Sequence, residues 1–382
     1  MKSKQFITSA AVIAAGFCAA VQPAFGFAEV GRGKLTATAR VALEYDSSIF
    51  ANSSETADWS MIFTPSISYA RTAGTISTNA RLGVSSINFQ DSSAQDTIDP
   101  SLSVTVNVDR AEKGAFAQSI SYTRQTAANE TLNTRAESDE YRGVTRLDYY
   151  FSQKTGFRFN ANYRLSDFLS RGYNGIRSYS FGGGIVYRYS PKLTAFLTSS
   201  YNPEKATDLA AAPVSNPSSK NYRVRLGLEG QLAPKLSGSV AVGVVRRDFD
   251  LGGNTETFLL SSALSWTASE KTSVSLSASN DFDTSPGAES MRVLNTALSV
   301  RHSLDAKLSV GASLGYQYSR LNQLPGPVAR NDEAKTMGVN ANYRINDTVS
   351  MSGSYNHRIN DSTLARADYS RDVMNLSATF LF

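Results

Sequence analysis

Thiols, imidazoles and long apolar runs are what this chain has least of. Its 382 residues hold one cysteine, Cys18, and two histidines, His302 and His357. Beyond residue 18 there is therefore no disulfide framework and no cysteine-ligated metal. Past residue 26 no apolar run reaches the roughly 18 residues that a transmembrane helix needs, so a closed barrel is the remaining way to cross a membrane. Nucleotide-cradling loops are missing too. Gly182-Gly183-Gly184 sits inside the alternating run Tyr179, Phe181, Ile185, Tyr187, where strand glycines beside aromatics are the simpler reading. The stretch from Asp248 to Asn254 has the outline of a calcium loop but lacks the glutamate at its twelfth position, and reads as an ordinary hairpin loop. His357 shares the phase of Tyr355 and Ile359 and should face outward. With so few candidate bases, catalysis is not expected, and neither is a cofactor or a metal.

The first 26 residues carry Lys2 and Lys4, an apolar stretch from about Phe6 to Val21, and Pro23-Ala24-Phe25-Gly26. This is the pattern of a secretory signal peptide cleaved after Gly26, with Phe27 as the expected mature start. Bulky Phe17 argues against lipid attachment at Cys18. Removing Lys2 and Lys4 takes the formal charge from +5 to +3. That mild basicity gives no support for nucleic-acid binding.

What is present in abundance is alternation. The last nine residues, Met374 to Phe382, place apolar groups at every second position and end on an aromatic. The first strand-like unit shows Leu35, Ala37, Ala39, Val41, Leu43 and Tyr45 on one face, with Thr36, Thr38, Arg40 and Glu44 on the other. Phe157 to Leu165 and Tyr222 to Leu228 repeat the scheme with arginines and asparagines between. About eighteen such units follow one another without a compositional break, each reading as lipid-facing outside and wet inside. Leu82 and Val84 followed by Ile87 and Phe89 shift phase, as a β-bulge would. The expectation is an all-β, single transmembrane antiparallel barrel over residues 34–382, preceded by a short periplasmic segment, 27–33.

Connection lengths alternate as such a barrel requires. Short turns fall near Thr72-Ala73, Glu112-Lys113, Gln153-Lys154, Ser190-Pro191-Lys192, Ala233-Pro234-Lys235, Ser269-Glu270-Lys271, Asp305-Ala306-Lys307 and Asn346-Asp347. Longer polar segments lie between them, among them Asp46 to Asp58, Thr126 to Ser138, Asn202 to Ser219 and Leu321 to Asp332. An even strand count follows, with both termini on the short-turn side, expected to be periplasmic. The last strand should close against Leu35 to Tyr45, with Phe380 and Phe382 as the signal to the barrel assembly machinery and Asn375, Ser377 and Thr379 in the channel. Lysines gather at the short turns and acids at the long loops, where carboxylates could meet cations held by lipopolysaccharide.

Arginine instead recurs on the face opposite the aromatics: Arg40, Arg81, Arg142, Arg146, Arg158, Arg164, Arg188, Arg223, Arg225, Arg344 and Arg358. Fixed guanidinium groups around a narrow wet channel raise the local anion concentration and suit carboxylates, sulfates and phosphates. The alternative is that they pair with Glu44, Asp148 and Glu229 and brace the wall.

Glu44-Tyr45-Asp46-Ser47-Ser48-Ile49-Phe50 resembles the opening strand of the outer-membrane family called putative β-barrel porin 2, with Ser48 where an asparagine is usual. Length, hairpin repeat and Phe-terminated last strand extend the resemblance over the chain. It implies an outer-membrane channel of the kind linked to exopolysaccharide export, similar to the arginine-lined alginate-export porin, with periplasmic polysaccharide-export proteins as partners. A general or anion-preferring diffusion porin needs the same wall. A structural or adhesive barrel is the third reading.

Overall fold

The computed structural model describes residues 28–110, 113–170, 172–207, 218–250, 253–285, 290–322 and 330–382. The expected signal peptide and Phe27 lie outside them, as do Glu112 of an expected short turn and the segments 208–217 and 323–329 in two of the expected long loops. Eighteen strands form the wall: β1 Gly33–Asp46, β2 Asp58–Ala73, β3 Ile76–Phe89, β4 Thr97–Arg110, β5 Gly114–Gln125, β6 Ser138–Tyr150, β7 Thr155–Phe168, β8 Gly175–Ser190, β9 Leu193–Thr207, β10 Ser219–Ala233, β11 Leu236–Phe249, β12 Asn254–Thr267, β13 Thr272–Thr284, β14 Ser290–Ser303, β15 Leu308–Asn322, β16 Arg330–Arg344, β17 Val349–Ser362 and β18 Tyr369–Leu381. Every sequential pair is antiparallel, and β18 returns to β1, so the sheet is a closed barrel.

The strands have 12 to 16 residues. At about 3.3 Å per residue and a tilt near 40° they rise ~30–40 Å, enough for an apolar band of ~25 Å with a polar rim on either side. Two aromatic girdles mark that band. Tyr149, Phe157, Tyr187, Tyr189, Trp266 and Tyr343 stand exposed near the short turns. Toward the long loops, aromatics meet across neighbouring strands: Tyr45 with Trp59 at 5.1 Å, Tyr122 with Tyr141 at 5.0 Å, Tyr163 with Tyr179 and Tyr201 with Tyr222 both at 5.3 Å between ring centroids.

Closure runs Ala39 opposite Phe380, Val41 opposite Ala378 and Tyr45 opposite Met374. Phe380 and Phe382 lie at the short-turn end, and the Phe382 amide donates to the Ala37 carbonyl at 2.8 Å. Just below, Ala28–Val30 folds back on Gly33–Leu35 through Gly31 and Arg32, both at positive φ. It covers the edge of β1 that β18 is too short to reach, and an unpaired strand edge is a template for misassembly. At the other end of the seam the opening motif explains itself. The Asp46 carboxylate is buried, accepts the Ser48 amide at 2.9 Å, and takes both Nε (2.9 Å) and Nη2 (2.6 Å) of Arg371 on β18. Ser47 Oγ accepts the Asp372 amide at 2.8 Å.

Five of the short turns share one device. Ser152, Ser190 and Ser269 accept, through Oγ, the amide two residues on, each that of a lysine. Asp305 and Asn346 do the same with a carboxylate or amide oxygen, the first taking the Lys307 amide at 2.6 Å and the Leu308 amide at 2.8 Å. Each lysine then gives its carbonyl to a strand end of the adjacent hairpin, as Lys154 to the Arg188 amide and Lys307 to the Arg344 amide. The two backbone donors hold the Asp305 carboxyl below its usual range. A depressed folded value means this support is present above the unfolded carboxylate range and fades as pH falls through the folded value. The protection factors of the Lys307 and Leu308 amides, their exchange rates relative to the unstructured rate at the same pH, should therefore fall in acid, below about pH 4. In Asp305→Asn, which keeps the acceptor but cannot titrate, that fall should vanish.

Ile87 and Phe89 are not on a bulge. The β2–β3 register is unbroken, with Ser60 opposite Phe89 and Ile62 opposite Ile87, so both point into the lumen. What Phe89 meets there is a loop.

Candidate functional site

Residues 126–137, between β5 and β6, fold into a small hairpin that pairs Ala128–Asn129 with Thr134–Arg135. This strap does not stand out in solvent. Asn133, 5% exposed and at positive φ, donates Nδ2 to the Ala51 carbonyl at 2.8 Å, and Asn52 donates to the Asn133 carbonyl at 3.3 Å. Arg330, from the start of β16, donates to the Thr131 carbonyl at 2.8 Å and to Asn133 Oδ1 at 2.9 Å. Glu130 meets Arg358 of β17 at 2.6 Å, and Arg135 lies over the Phe89 ring at 4.7 Å. Arg358 is set four residues below the long-loop end of its strand. The strap thus enters the mouth and ties β5–β6 to β16–β17 across it.

The eleven arginines expected to be luminal all stand, by strand register, on the sheet face opposite the exposed apolar side chains. Their partners differ. Arg146 and Arg158 share Asp148 and Glu229 in one buried knot: Arg158 donates Nε to Asp148 at 2.8 Å and also contacts Glu229, while Arg146 Nη2 reaches both carboxylates at 2.9 Å. Arg158 stacks its free face on Phe196, 5.2 Å away. This pair braces β6, β7 and β10. Arg164 pairs with Glu140 at 3.2 Å and Arg223 with Asp281 at 3.1 Å. Arg40 reaches Glu44 only through Asn375, which accepts from the first and donates to the second. Arg81 donates to Ser66, Arg344 to the Ala306 carbonyl, and Arg188 lies over Tyr150.

Arg142 and Arg225 are different. Neither has a hydrogen-bond or ion-pair partner among the described residues. Both line a cavity of about 680 Å³ shared with Gln125, Asn162, Arg164, Ser180, Ser200 and Asn202. The wall on this side also carries Arg146, Arg158, Arg164 and Arg223 with their carboxylate partners. The facing wall, β14 to β17, offers hydroxyl and amide groups, including Asn295, Ser299, Gln317, Asn340, Ser352 and Asn356. A hydrated anion would find two uncommitted guanidinium groups on one side and, on the other, hydroxyl and amide groups beside arginines that already have partners, Arg358 with Glu130 and Arg344 with the Ala306 carbonyl.

Sequence reasoning missed Arg247 and Arg371. Arg247, fully buried, donates to the Asp283 carbonyl and to Glu204, both at 2.8 Å. His302 and His357 both sit outside the lumen, bonded to Thr272 Oγ1 at 2.9 Å and to Asp372 at 2.8 Å. Asp248 and Asp250, in the calcium-like stretch, pair with Arg246 and Lys220.

Residues 176–382 match the family described as Putative beta-barrel porin 2. No curated protein matches the chain by sequence. Among solved structures the chain is similar to OccK2 (OpdF) of Pseudomonas aeruginosa, at 10% identity and a TM-score of 0.50, over 94% of this chain and 99% of that one. It is similar too to OccAB2 of Acinetobacter baumannii, at 9% identity and 0.49, over 93% and 98%. Against the FrpB iron transporter of Neisseria meningitidis, at 11% identity and 0.45, it covers 85% of its own length but only 62% of the transporter. These likenesses are of architecture: an outer-membrane type of porin barrel.

Proposed function

The chain belongs to the putative beta-barrel porin 2 family, more than half of its length being matched, and on that premise we propose that it is a non-enzymatic outer-membrane channel for small hydrophilic anions. In this reading the signal peptide is removed, the short turns and both termini face the periplasm, and the long loops face outward. Carrying it is the pair Arg142 and Arg225, left without partners on a cavity of about 680 Å³ while the neighbouring arginines are neutralised. Fixed, unpaired guanidinium groups attract anions, yet a site open to water lets them leave, as conduction requires.

Export of an anionic polysaccharide would use the same wall. A polymer, however, needs a clear axis, and the strap lies across the mouth, so the geometry supports small solutes over polymers.

Replacing Arg142 and Arg225 together with glutamine should leave the barrel folded, since neither is tied into it, and reduce the anion preference in reversal-potential measurements. Unchanged selectivity in the folded double variant would remove the basis for this reading.

A further inference from the structure

At its long-loop end the wall comes apart between β12 and β13. Their ladder stops at Leu260 opposite Asn280. Yet β12 continues to Asn254, paired on β11, and β13 continues to Thr284, paired on β14. The rungs that the same register would set next, from Leu259 with Asp281 to Glu256 with Thr284, are not made. The tip of β13 instead lies inward. Phe282 has an outward phase but is buried against Val245 and Leu259, both lumen-facing. Asp281 is held by Arg223 at 3.1 Å, and Arg247 grips the Asp283 carbonyl at 2.8 Å together with Thr284 Oγ1. Asn280 Nδ2 donates to the Phe258 carbonyl at 2.5 Å and marks the foot of the opening.

Polarity changes in order across this seam. On the lumen side is the cavity with its unpaired arginines, which Asp281 also lines. Next comes the Val245–Leu259–Phe282 sill, a buried apolar cluster in a polar lumen. Beyond it Val244 and Phe258 are 61% and 56% exposed on the outer face.

We infer that this seam is a lateral passage between lumen and bilayer for an anionic amphiphile with a carboxylate head and a single alkyl tail. The head rests at Arg142 and Arg225, which makes the inference dependent on the anion site proposed above. The tail lies over the sill and leaves between the unpaired ends of β12 and β13, where no backbone ladder has to be broken.

Thr257→Cys with Asp283→Cys tests this, because a zipped seam would set those residues opposite each other at a separation a disulfide can span. The only native cysteine is Cys18. In planar bilayers, block of the channel by straight-chain carboxylates from hexanoate to decanoate should strengthen about fourfold per methylene in the reduced protein, as expected for a tail leaving water. Oxidation should flatten that dependence while leaving block by acetate unchanged. Equal slopes in the oxidised and reduced states would overturn the passage. Should the cysteines not join, Leu259→Ser with Phe258→Ser serves instead: a flattened slope supports the passage and a preserved slope overturns it. Reversal potentials in the same bilayers report on the anion site separately, so a slope without anion preference sinks the head-group assignment alone.

Discussion

Replacing residues 126–137 with a short glycine-serine turn raises single-channel conductance severalfold. Current through a wide barrel is set by its narrowest section, and a wall of eighteen strands leaves an aqueous lumen unless something fills it. Here the strap enters it at the mouth, tied by Glu130 to Arg358 and by Asn133 to Arg330 and Ala51. It is a loop between strands that already pair along their length, so its loss should not prevent closure. Glu130→Gln should act in the same direction more weakly, as brief openings, because the Asn133 contacts remain. A strapless barrel that folds and conducts no better would show that the constriction lies elsewhere.

Arg158→Met destabilises the barrel by about 3–5 kcal/mol, the range for breaking a buried pair by removing one partner. The side chain of Arg158 is 5% exposed, and its loss strands Asp148 and Glu229, of which Asp148 is nearly as buried. Arg146 reaches both carboxylates but stands 43% exposed and cannot neutralise two of them. Adding Asp148→Leu and Glu229→Met should recover most of the loss, since an apolar cluster of similar volume is often as stable as the ion pairs it replaces. Urea unfolding in detergent or lipid measures both. Arg142→Gln, by contrast, should stay within about 0.5 kcal/mol of wild type, like other substitutions that touch no partner. The contrast separates arginines that build the wall from those that face the solute.

Much of this was legible in the sequence because a strand has a period of two. Alternation set which arginines share the face opposite the aromatics, and the rhythm of short and long connections set an even strand number, sixteen or eighteen, and the side on which the termini lie. Height and partners were not legible. Arg158 and Glu229 are 71 positions apart and two other strands stand between them, so only the full set of registers brings them together. Arg246-Arg247 put one guanidinium on either face, and no local cue says which is buried. The phase shift at Ile87 and Phe89 is a change of face within an unbroken register rather than a bulge. An inward aromatic at Phe89 has a cover, Arg135 of the strap. The strap itself gave no cue, because its polar composition is the same whether it waves in solvent or lies in the mouth. The tip of β13 was hidden for a related reason: alternation continues through Asp281, Phe282 and Asp283 whether or not the strand finds its neighbour.

The most direct measurement is the zero-current potential of the folded wild-type channel across a bilayer under a potassium chloride gradient. An anion channel shifts it to the sign set by chloride, and the shift shrinks when Arg142 and Arg225 are neutralised. A cation-selective sign, or correctly folded protein with no conductance at all, would contradict a lumen built around two uncommitted guanidinium groups.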